Sequence, residues 1–590
     1  MVAALARAGT RVLFGLPGGG PNLDVVGAAA AAGLRFVLTH GESAATIMAA
    51  TCADLTGVPG AAVVTRGPGL ASAINGIAHA ALDQLPVVVI ADTVRAVEAD
   101  RISHQRLDQV ALGQSVARAV VTVGQTRADD AAADAIRLAL TPPAGPVIAL
   151  LDDSIASHRA GSGRPARNGA AGVSGTRALG LAGAAAGGKG LAVLAEALRS
   201  SRRPVVLLGA AAISHTTAIR AALNGSAIPV LHTYRARGIM PDSAAEAAGL
   251  VTGGTMEWPL LAAADLIIGL GVDETEMIPA AWDYAAPTVL VTEHPAAPGS
   301  ATYFTGATTL TASLPAAIDL LPACQDQHAW PSAIGRETRM TAARRLAGAA
   351  SAASGMLAPQ RLVAVTRAHV PQESIATVDA GAHMLAVMPL WEVEEPRRLL
   401  ISSGLATMGF ALPAAIAAAL CSPGRPVVAF TGDGGLAMTL AEIETAARLA
   451  LRIVVIVFND AALSLIKIKQ RPTGQGGGEA VEYGPVSYAR AAESMGAAAA
   501  AVSTEAELTA ALAEALRRDG PTVIDARVDP AGYPAIMDLS RGGAGRRPES
   551  APVVAVGGGR PADKREGIRI RTPPEGSAND AKERAQWPLP

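Results

Sequence analysis

An α/β fold of three doubly wound parallel-sheet domains with a disordered C-terminal tail is what the sequence predicts. Three observations lead there. Strand-like apolar runs alternate with alanine-rich helical stretches, the pattern of a parallel sheet covered by helices. The runs are short, continuous and rich in β-branched residues, as in PVVVIA and RIVVIVF, which suits strands buried on both faces. At 590 residues, half of them hydrophobic and 17% charged, the chain exceeds one hydrophobic core but has the composition of a large buried interior.

In chain order, the first domain is expected over residues 1–156, with strands in RVLFGLPG, RFVLTHGE, GAAVVTRGPG, PVVVIADT and GPVIALLDD. Met1 runs directly into an apparent helix with no capping residue, so part of a first helix is expected to lie outside this reading frame. Residues 157–190, rich in Gly, Ala, Ser and Arg, read as a linker. A central domain over 191–324 carries RPVVLLGAAA, AIPVLHTY, ADLIIGLGVD and PTVLVTEH. A second linker over 325–355 precedes a third domain over 356–540, with ESIATVDAG, RPVVAFTGDG, RIVVIVFND and PTVIDARV. From about Arg541 to residue 590 the composition turns to Gly, Pro, Arg and Glu without apolar period, which predicts the tail.

Several classes of partner are disfavoured. A formal net charge of -2 provides no electrostatic reason to bind nucleic acid or an anionic membrane, so a small molecule is the expected ligand. Cys52, Cys324 and Cys421 lie far apart without a CxxC pair, so neither a disulfide framework nor a zinc site is expected. No apolar run approaches the roughly 20 residues of a membrane helix, and no signal peptide is read, which points to a cytoplasmic protein. GAAAGGKG, Gly183 to Gly190, has Gly190 where a Walker A loop needs Ser or Thr, and it lies in the linker without a preceding strand. GLPGGG after the first strand lacks the full dinucleotide fingerprint and a matched acid downstream, so NAD is not supported.

Ligands of doubly wound sheets sit beyond the carboxyl ends of strands. There the sequence places Asp433 between glycines in GDGG, leading into a helix expected from near Leu436, whose positive end favours phosphate. Twenty-four residues separate Gly434 from Asn459, room for a helix and a returning strand that brings Asp460 beside Asp433. Magnesium usually takes one or two carboxylates and completes its octahedron with phosphate oxygens and water. Asp433, Asp460 and a backbone carbonyl just beyond would leave room for a diphosphate; an ordinary Gly-Asp turn with a surface Asn-Asp is the bland alternative.

The GDG-x24-ND pattern resembles the diphosphate and magnesium signature of thiamine-diphosphate enzymes. The resemblance extends over about Leu5 to Ser540 and is to the acetolactate synthase and benzoylformate decarboxylase superfamily. FGLPGGG, THGESAATIMAATCADLTGVPG and TRGPGLASAINGIAHAALDQLPVVVI resemble its pyrimidine-binding domain, while VDAGAHM, SGLATMGFALPAAIAAAL and GDG-x24-ND resemble its diphosphate-binding domain. By that resemblance Glu42 hydrogen-bonds the cofactor's aminopyrimidine ring; by itself it could equally be a solvated acid at a helix start. Met408 is the apolar wedge under the cofactor, or plain core. His383 contacts the diphosphate and Ala462 offers magnesium its backbone carbonyl. Gly18, Gly19, Gly381, Gly432, Gly434 and Gly435 belong to the cofactor-binding segments, and His104 and Gln105 face the substrate.

The chain departs from the family in four places. Gly41 precedes Glu42 where many relatives have histidine, and His40 sits one place earlier. Asp460 stands where the second asparagine is usual. Lys469 stands where acetolactate synthase has an acceptor-selecting tryptophan, and Lys467 and Lys469 either recognise a second acidic group or form a solvated helix face. LGVDETE replaces an arginine-containing segment associated with FAD, which makes FAD unlikely. The resemblance implies a thiamine-diphosphate- and magnesium-dependent decarboxylase or carboligase of 2-oxo acids. It would work as a homodimer or homotetramer with sites between subunits; a binding protein that has lost catalysis is the alternative.

Overall fold

The computed structural model describes residues 1–94, 100–124, 128–152, 187–295, 303–324, 328–349, 356–470 and 478–542. Most of the 157–190 linker, and the tail from residue 543, lie outside the described residues. Three six-stranded sheets follow one another along the chain, and every paired strand is parallel to its neighbour. The first has β1 (Val12–Leu16), β2 (Arg35–Leu38), β3 (Gly60–Val64), β4 (Val87–Thr93), β5 (Ala119–Val123) and β6 (Val147–Asp152), in the order β2-β1-β3-β4-β6-β5. The central sheet has β7 (Pro204–Leu208), β8 (Val230–His232), β9 (Ala247–Leu250), β10 (Leu266–Leu270), β11 (Thr288–Thr292) and β12 (Thr308–Thr311), ordered β12-β11-β10-β7-β8-β9. The third has β13 (Ile375–Val378), β14 (Leu399–Ile401), β15 (Val427–Gly432), β16 (Ile453–Asn459), β17 (Ala498–Val502) and β18 (Thr522–Arg527), ordered β14-β13-β15-β16-β18-β17.

The continuous apolar runs become the central strands because both faces of each sheet are covered: β3, β7 and β16 are buried throughout. The first and third units share one hydrophobic core. The Glu42–Thr56 helix has an unbroken run of buried residues from Ala44 to Ala53, and the Ala411–Cys421 helix one from Ala411 to Ala418. A helix apolar all round belongs in an interior, and these two pack together between the sheets. Their small alanines allow the close approach that places Glu42 and the chain around Met408 on the same structural block.

Some sequence expectations need correction. Cys52 and Cys421 form a disulfide, with 6.2 Å between their Cα atoms, although no disulfide was expected. They lie 369 residues apart, and only the packing of those two helices brings them together. The supposed second linker contains a helix, Ile334–Gly348, whose Gly335 meets the backbone of Glu246 so closely that a Cβ would not fit. The Gly187–Ser200 helix likewise begins inside the first linker. After β15 the helix starts at Asp433 rather than Leu436 and ends at Thr439, and a separate helix, Glu442–Arg448, follows. Among the described residues no helix is long and apolar enough to cross a membrane.

Candidate cofactor site

The strand order of the third sheet changes direction between β13 and β15, and the crevice beyond that point is where such sheets bind ligands. Asp379, Gly381 and His383 follow β13; Gly432 ends β15 and Asp433 opens the next helix; Asp460 and Ala462 follow β16. The parallel register sets Gly432 opposite Phe458, so Asp433 and Asp460 emerge side by side. Asp433 Oδ1 accepts from the Gly434 amide at 2.7 Å, and its Oδ2 accepts from the Ala462 amide at 3.2 Å. Asp460 is held by the Ser464 hydroxyl. Burial, and then the charge of Asp460, push the Asp433 carboxyl up to about 6; burial also raises that of Asp460.

His383 is buried and stacks on Phe458 with 5.3 Å between ring centroids. Its Nδ1 lies over the backbone of Gly432, where a Cβ would sit only 3.3 Å away, and a side chain on Gly381 would also meet the ring. Burial lowers its pKa to about 3, so the imidazole is neutral. Its Nε2 has no hydrogen-bond partner among the described residues. Met408 brings its methyl against Gly434, within 3.3 Å of where a Cβ would stand. A Cβ on Gly435 would collide with Asp379 Oδ2, so the chain needs glycine at that crossing. The third-unit residues expected from the sequence are thus gathered at one strand-end crevice.

The first unit gathers a second group. Gly18 donates its amide to Asn22 Oδ1 at 2.9 Å and abuts Thr65, whereas nothing lies within 4 Å of a Cβ on Gly19. The start of the Pro68–Leu82 helix links two of the candidates: a Cβ on Gly69 would stand 3.5 Å from Glu42 Oε1, and one on the N-cap Gly67 would collide with the Gln105 carbonyl. His104 and Gln105 are exposed, and Gln105 adopts a left-handed φ of 57°. Glu42 is half-buried. Among the described residues no hydrogen bond or ion pair joins these first-unit residues to Asp433 or Asp460. Lys467 pairs with Glu482 at 2.6 Å on the surface, and Lys469 is exposed.

Four further residues shape the site without having been singled out in the sequence. Asp379, buried, accepts from the Phe410 and Ala411 amides at 2.6 and 2.7 Å and from Thr431 Oγ1 at 2.6 Å, tying β13, β15 and the Met408 segment together. Burial lifts its carboxyl to about 6. Tyr488 donates its hydroxyl to the Asp433 carbonyl at 2.8 Å, and Asp525 holds Asn459 Nδ2 at 2.7 Å. Glu442 accepts from the His40 and Gly41 amides just before Glu42. Only Asp379 had a local signal, as an acid at the end of a strand in VDAG.

Among the described residues no cluster of three or more His, Cys, Asp or Glu side chains could hold a metal, so any ion here rests on two carboxylates. That donor set suits magnesium, which takes few carboxylates and relies on phosphate oxygens and water. A buried acid whose carboxyl is raised further by the charge of a neighbouring acid calls for a cation, and the orphaned His383 Nε2 calls for an acceptor such as a phosphate oxygen. The residues present therefore fit a magnesium diphosphate.

Fold and crevice define the class: a three-unit parallel α/β protein with an acidic, glycine-lined ligand site at a strand-order switch. Family models described as "Thiamine pyrophosphate enzyme, N-terminal TPP binding domain", "central domain" and "C-terminal TPP binding domain" match residues 1–112, 191–302 and 379–526. The catabolic acetolactate synthase of Raoultella terrigena is 30% identical over 557 residues, covering 91% of this chain and 96% of that one. The 2-hydroxyacyl-CoA lyase of Oryza sativa subsp. japonica is 29% identical, covering 89% and 94%. A thiamine diphosphate-dependent 4-hydroxybenzoylformate decarboxylase from Rhodococcus jostii RHA1 shares the fold, with a TM-score of 0.73 at 20% identity over 90% of this chain and 99% of that one. The chain belongs to the thiamine pyrophosphate enzyme family, and it is a thiamine-pyrophosphate-dependent enzyme.

Proposed function

We propose that the chain is a thiamine-diphosphate- and magnesium-dependent enzyme that decarboxylates a 2-oxo acid, or transfers the fragment that remains to an acceptor carbonyl. The observation that carries this reading is the buried Asp433, with half-buried Asp460 beside it, set among glycines next to His383, whose Nε2 has no partner among the described residues. The names of the similar proteins, an acetolactate synthase and a decarboxylase among them, favour 2-oxo acids as substrates. When bound, thiamine diphosphate supplies the carbanion chemistry at its thiazolium ring.

The residues of the chain then have separate tasks. Asp433, Asp460 and the Ala462 carbonyl would hold magnesium. Neutral His383 donates from Nε2 to the diphosphate, because a buried imidazole with one unfilled nitrogen gains most from a charged acceptor. Gly432 and Gly434, with Gly381 and Gly435 whose missing side chains leave room for His383 and Asp379, would line the diphosphate end of the cofactor, and Met408 would pack against the cofactor. Glu42 holds a proton at its carboxyl toward the pyrimidine ring, with Gly18 and Gly19 in the same cleft, and His104 and Gln105 line the substrate side. FAD has no role in this scheme.

We further propose a homodimer, or a homotetramer built from it, in which the first-unit group of one subunit faces the third-unit group of another. Support comes from exposed apolar residues around both groups: Leu23, Leu38 and Leu107 near the first, and Met438 (64% exposed), Ile466 and Tyr483 near the second. A cytoplasmic setting completes the proposal.

The test is carbon dioxide release from a panel of 2-oxo acids, with and without acceptor aldehydes, by protein loaded with thiamine diphosphate and magnesium. Activity that requires both, and is lost in Glu42→Gln, is expected. Retention of full activity in Glu42→Gln would refute the assigned role of that residue.

A further inference from the structure

We propose that the first and third units position each other's cofactor-facing segments through a reciprocal polar clamp. In it, Glu442 fixes the approach to Glu42, and a face of Asn75, His79 and Asp83 fixes the approach to Met408. The proposal rests on the cofactor reading above, and its test is arranged so that the two can fail separately.

Consider first the segment before Glu42. The Glu42–Thr56 helix begins at Gly41, which has no side chain with which to cap it. Helix starts leave amides unsatisfied, and here the chain just ahead is held from the other unit instead. Glu442, 2% exposed, accepts from the His40 and Gly41 amides at 2.9 and 3.1 Å through Oε1, and from Thr445 Oγ1 at 2.8 Å through Oε2. On the same helix Glu444 meets His40 Nε2 at 2.8 Å, and Arg448 donates to the Leu38 carbonyl at 2.7 Å while pairing with Glu444 at 3.1 Å. Residues 38–41 are therefore gripped by the Glu442–Arg448 helix, and Glu42 is the next residue. The carboxyl of Glu42 makes no hydrogen bond of its own among the described residues, so its location depends on how this backbone is held.

The second half runs the other way. Asn75, His79 and Asp83 recur every four residues, which aligns them on one face at the end of the Pro68–Leu82 helix. All three meet the third-unit loop 402–407. Asp83 accepts from the Ser403 and Gly404 amides at 3.2 and 2.7 Å, His79 Nδ1 pairs with Ser402 Oγ at 3.0 Å, and Asn75 exchanges hydrogen bonds with Thr407 Oγ1 at 3.0 and 3.1 Å. A Cβ on Gly404 would press on that of Leu82 at 2.7 Å, so the loop lies directly against the helix end. Met408 follows Thr407 immediately. Arg235 of the central unit donates to the Asp83 carbonyl at 2.7 Å and so braces the same corner.

Ordinary adhesion between units would need only the shared apolar core. These hydrogen bonds go instead to backbone amides and short hydroxyls within one to six residues of the two cofactor-facing side chains. A displacement of about 1 Å there can cost two orders of magnitude in catalysis. Glu442, Asn75, His79 and Asp83 are positioning residues on this view, acting through Glu42 and Met408.

The test uses the full chain as wild type, Glu442→Ala, Asn75→Ala, Glu42→Gln and the double variant Glu42→Gln/Glu442→Ala. Amide hydrogen exchange, followed by mass spectrometry without cofactor, should rise at least about tenfold over residues 38–46 in Glu442→Ala and over 402–409 in Asn75→Ala, each leaving the other segment unchanged. With thiamine diphosphate and magnesium but no substrate, Glu442→Ala should slow exchange of the cofactor's C2 proton about tenfold, while thiamine diphosphate affinity changes less than about threefold. In the Glu42→Gln background the same substitution should slow it less than about twofold, because the residue it acts through is already gone. Equal, additive losses in both backgrounds, or unchanged amide exchange, would overturn the clamp. If Glu442→Ala does not fold, Glu442→Gln, which keeps one acceptor oxygen, should show the same pattern with smaller effects. If Glu42→Gln binds the cofactor yet leaves C2 exchange untouched, the role assigned to Glu42 falls, while the amide-exchange result still judges the clamp.

Discussion

The first and third sheets have the same strand order when each is counted from its own first strand, yet their crevices carry different chemistry. At the end of the fourth strand of the first sheet, Asp92 is used up internally: it accepts from Asn22 Nδ2 at 3.0 Å and from the Arg66 amide at 2.9 Å. At the matching place in the third sheet, Asn459 does the internal work through Asp525, Val486 and Arg527, and leaves the following acid, Asp460, beside Asp433. One crevice closes its acid into its own turns; the other keeps two acids side by side. Topology sets where a ligand sits, and the residues at the strand ends decide which ligand that is.

The largest expected effect tests this contrast directly. Asp433→Ala should weaken magnesium-dependent thiamine diphosphate binding by more than about a hundredfold, measured by calorimetric titration, since it removes one of two carboxylates. Asp92→Asn should leave that affinity within about threefold while lowering the unfolding midpoint, because its bonds hold turns of the first unit. If Asp92→Asn abolished binding as well, the division between the crevices would be wrong. Asp460→Asn, which restores the family's usual residue, should cost less than about tenfold.

Glycines sharpen the comparison at the level of stability. Gly435→Ala drives a methyl into Asp379 and should destabilise the fold by about 1–3 kcal/mol in denaturant unfolding. Gly19→Ala, with open space around it, should cost under about 0.5 kcal/mol.

A pH dependence follows from the same pair. The Asp433 carboxyl, raised to about 6 without metal, is ionised above that pH and protonated below it. Magnesium must displace that proton at lower pH, so its affinity should be flat above about pH 7 and fall by up to about tenfold per unit below about 6. An affinity that is level from pH 7 to 5 would show that Asp433 keeps its ordinary acidity. The smallest effect belongs to the surface: Lys467→Ala breaks an exposed pair with Glu482 and should shift stability by less than about 0.5 kcal/mol.

Much of the third-unit site was legible because its parts are local. Asp433 and its glycines lie within four consecutive residues, and strand periodicity carries Asp460 to the neighbouring tip. Asp379 was harder, since an acid after a strand becomes informative only when Phe410 and Thr431 are found to surround it. Glu442 gave no signal at all: in a surface-helix pattern it is one acid among several, and its partners are 401 and 402 residues away. The helix Ile334–Gly348 was read as linker because four of its fifteen residues are arginine and few are buried, so it has little apolar period. It is held by contacts such as Arg345 to Thr255 and Arg336 to the Ser243 carbonyl, which lie outside any local window.

By itself the sequence determined the α/β class, the three sheets and the acidic strand tips, since hydrophobic period and glycine placement are properties of neighbouring residues. Tertiary structure alone decided that the first and third units share a core, that Cys52 meets Cys421, and that each of these two units holds a segment of the other, residues 38–41 and 402–407. The first two come from the packing of two alanine-rich helices that are buried along most of their length, and such helices do not announce which surface they will meet.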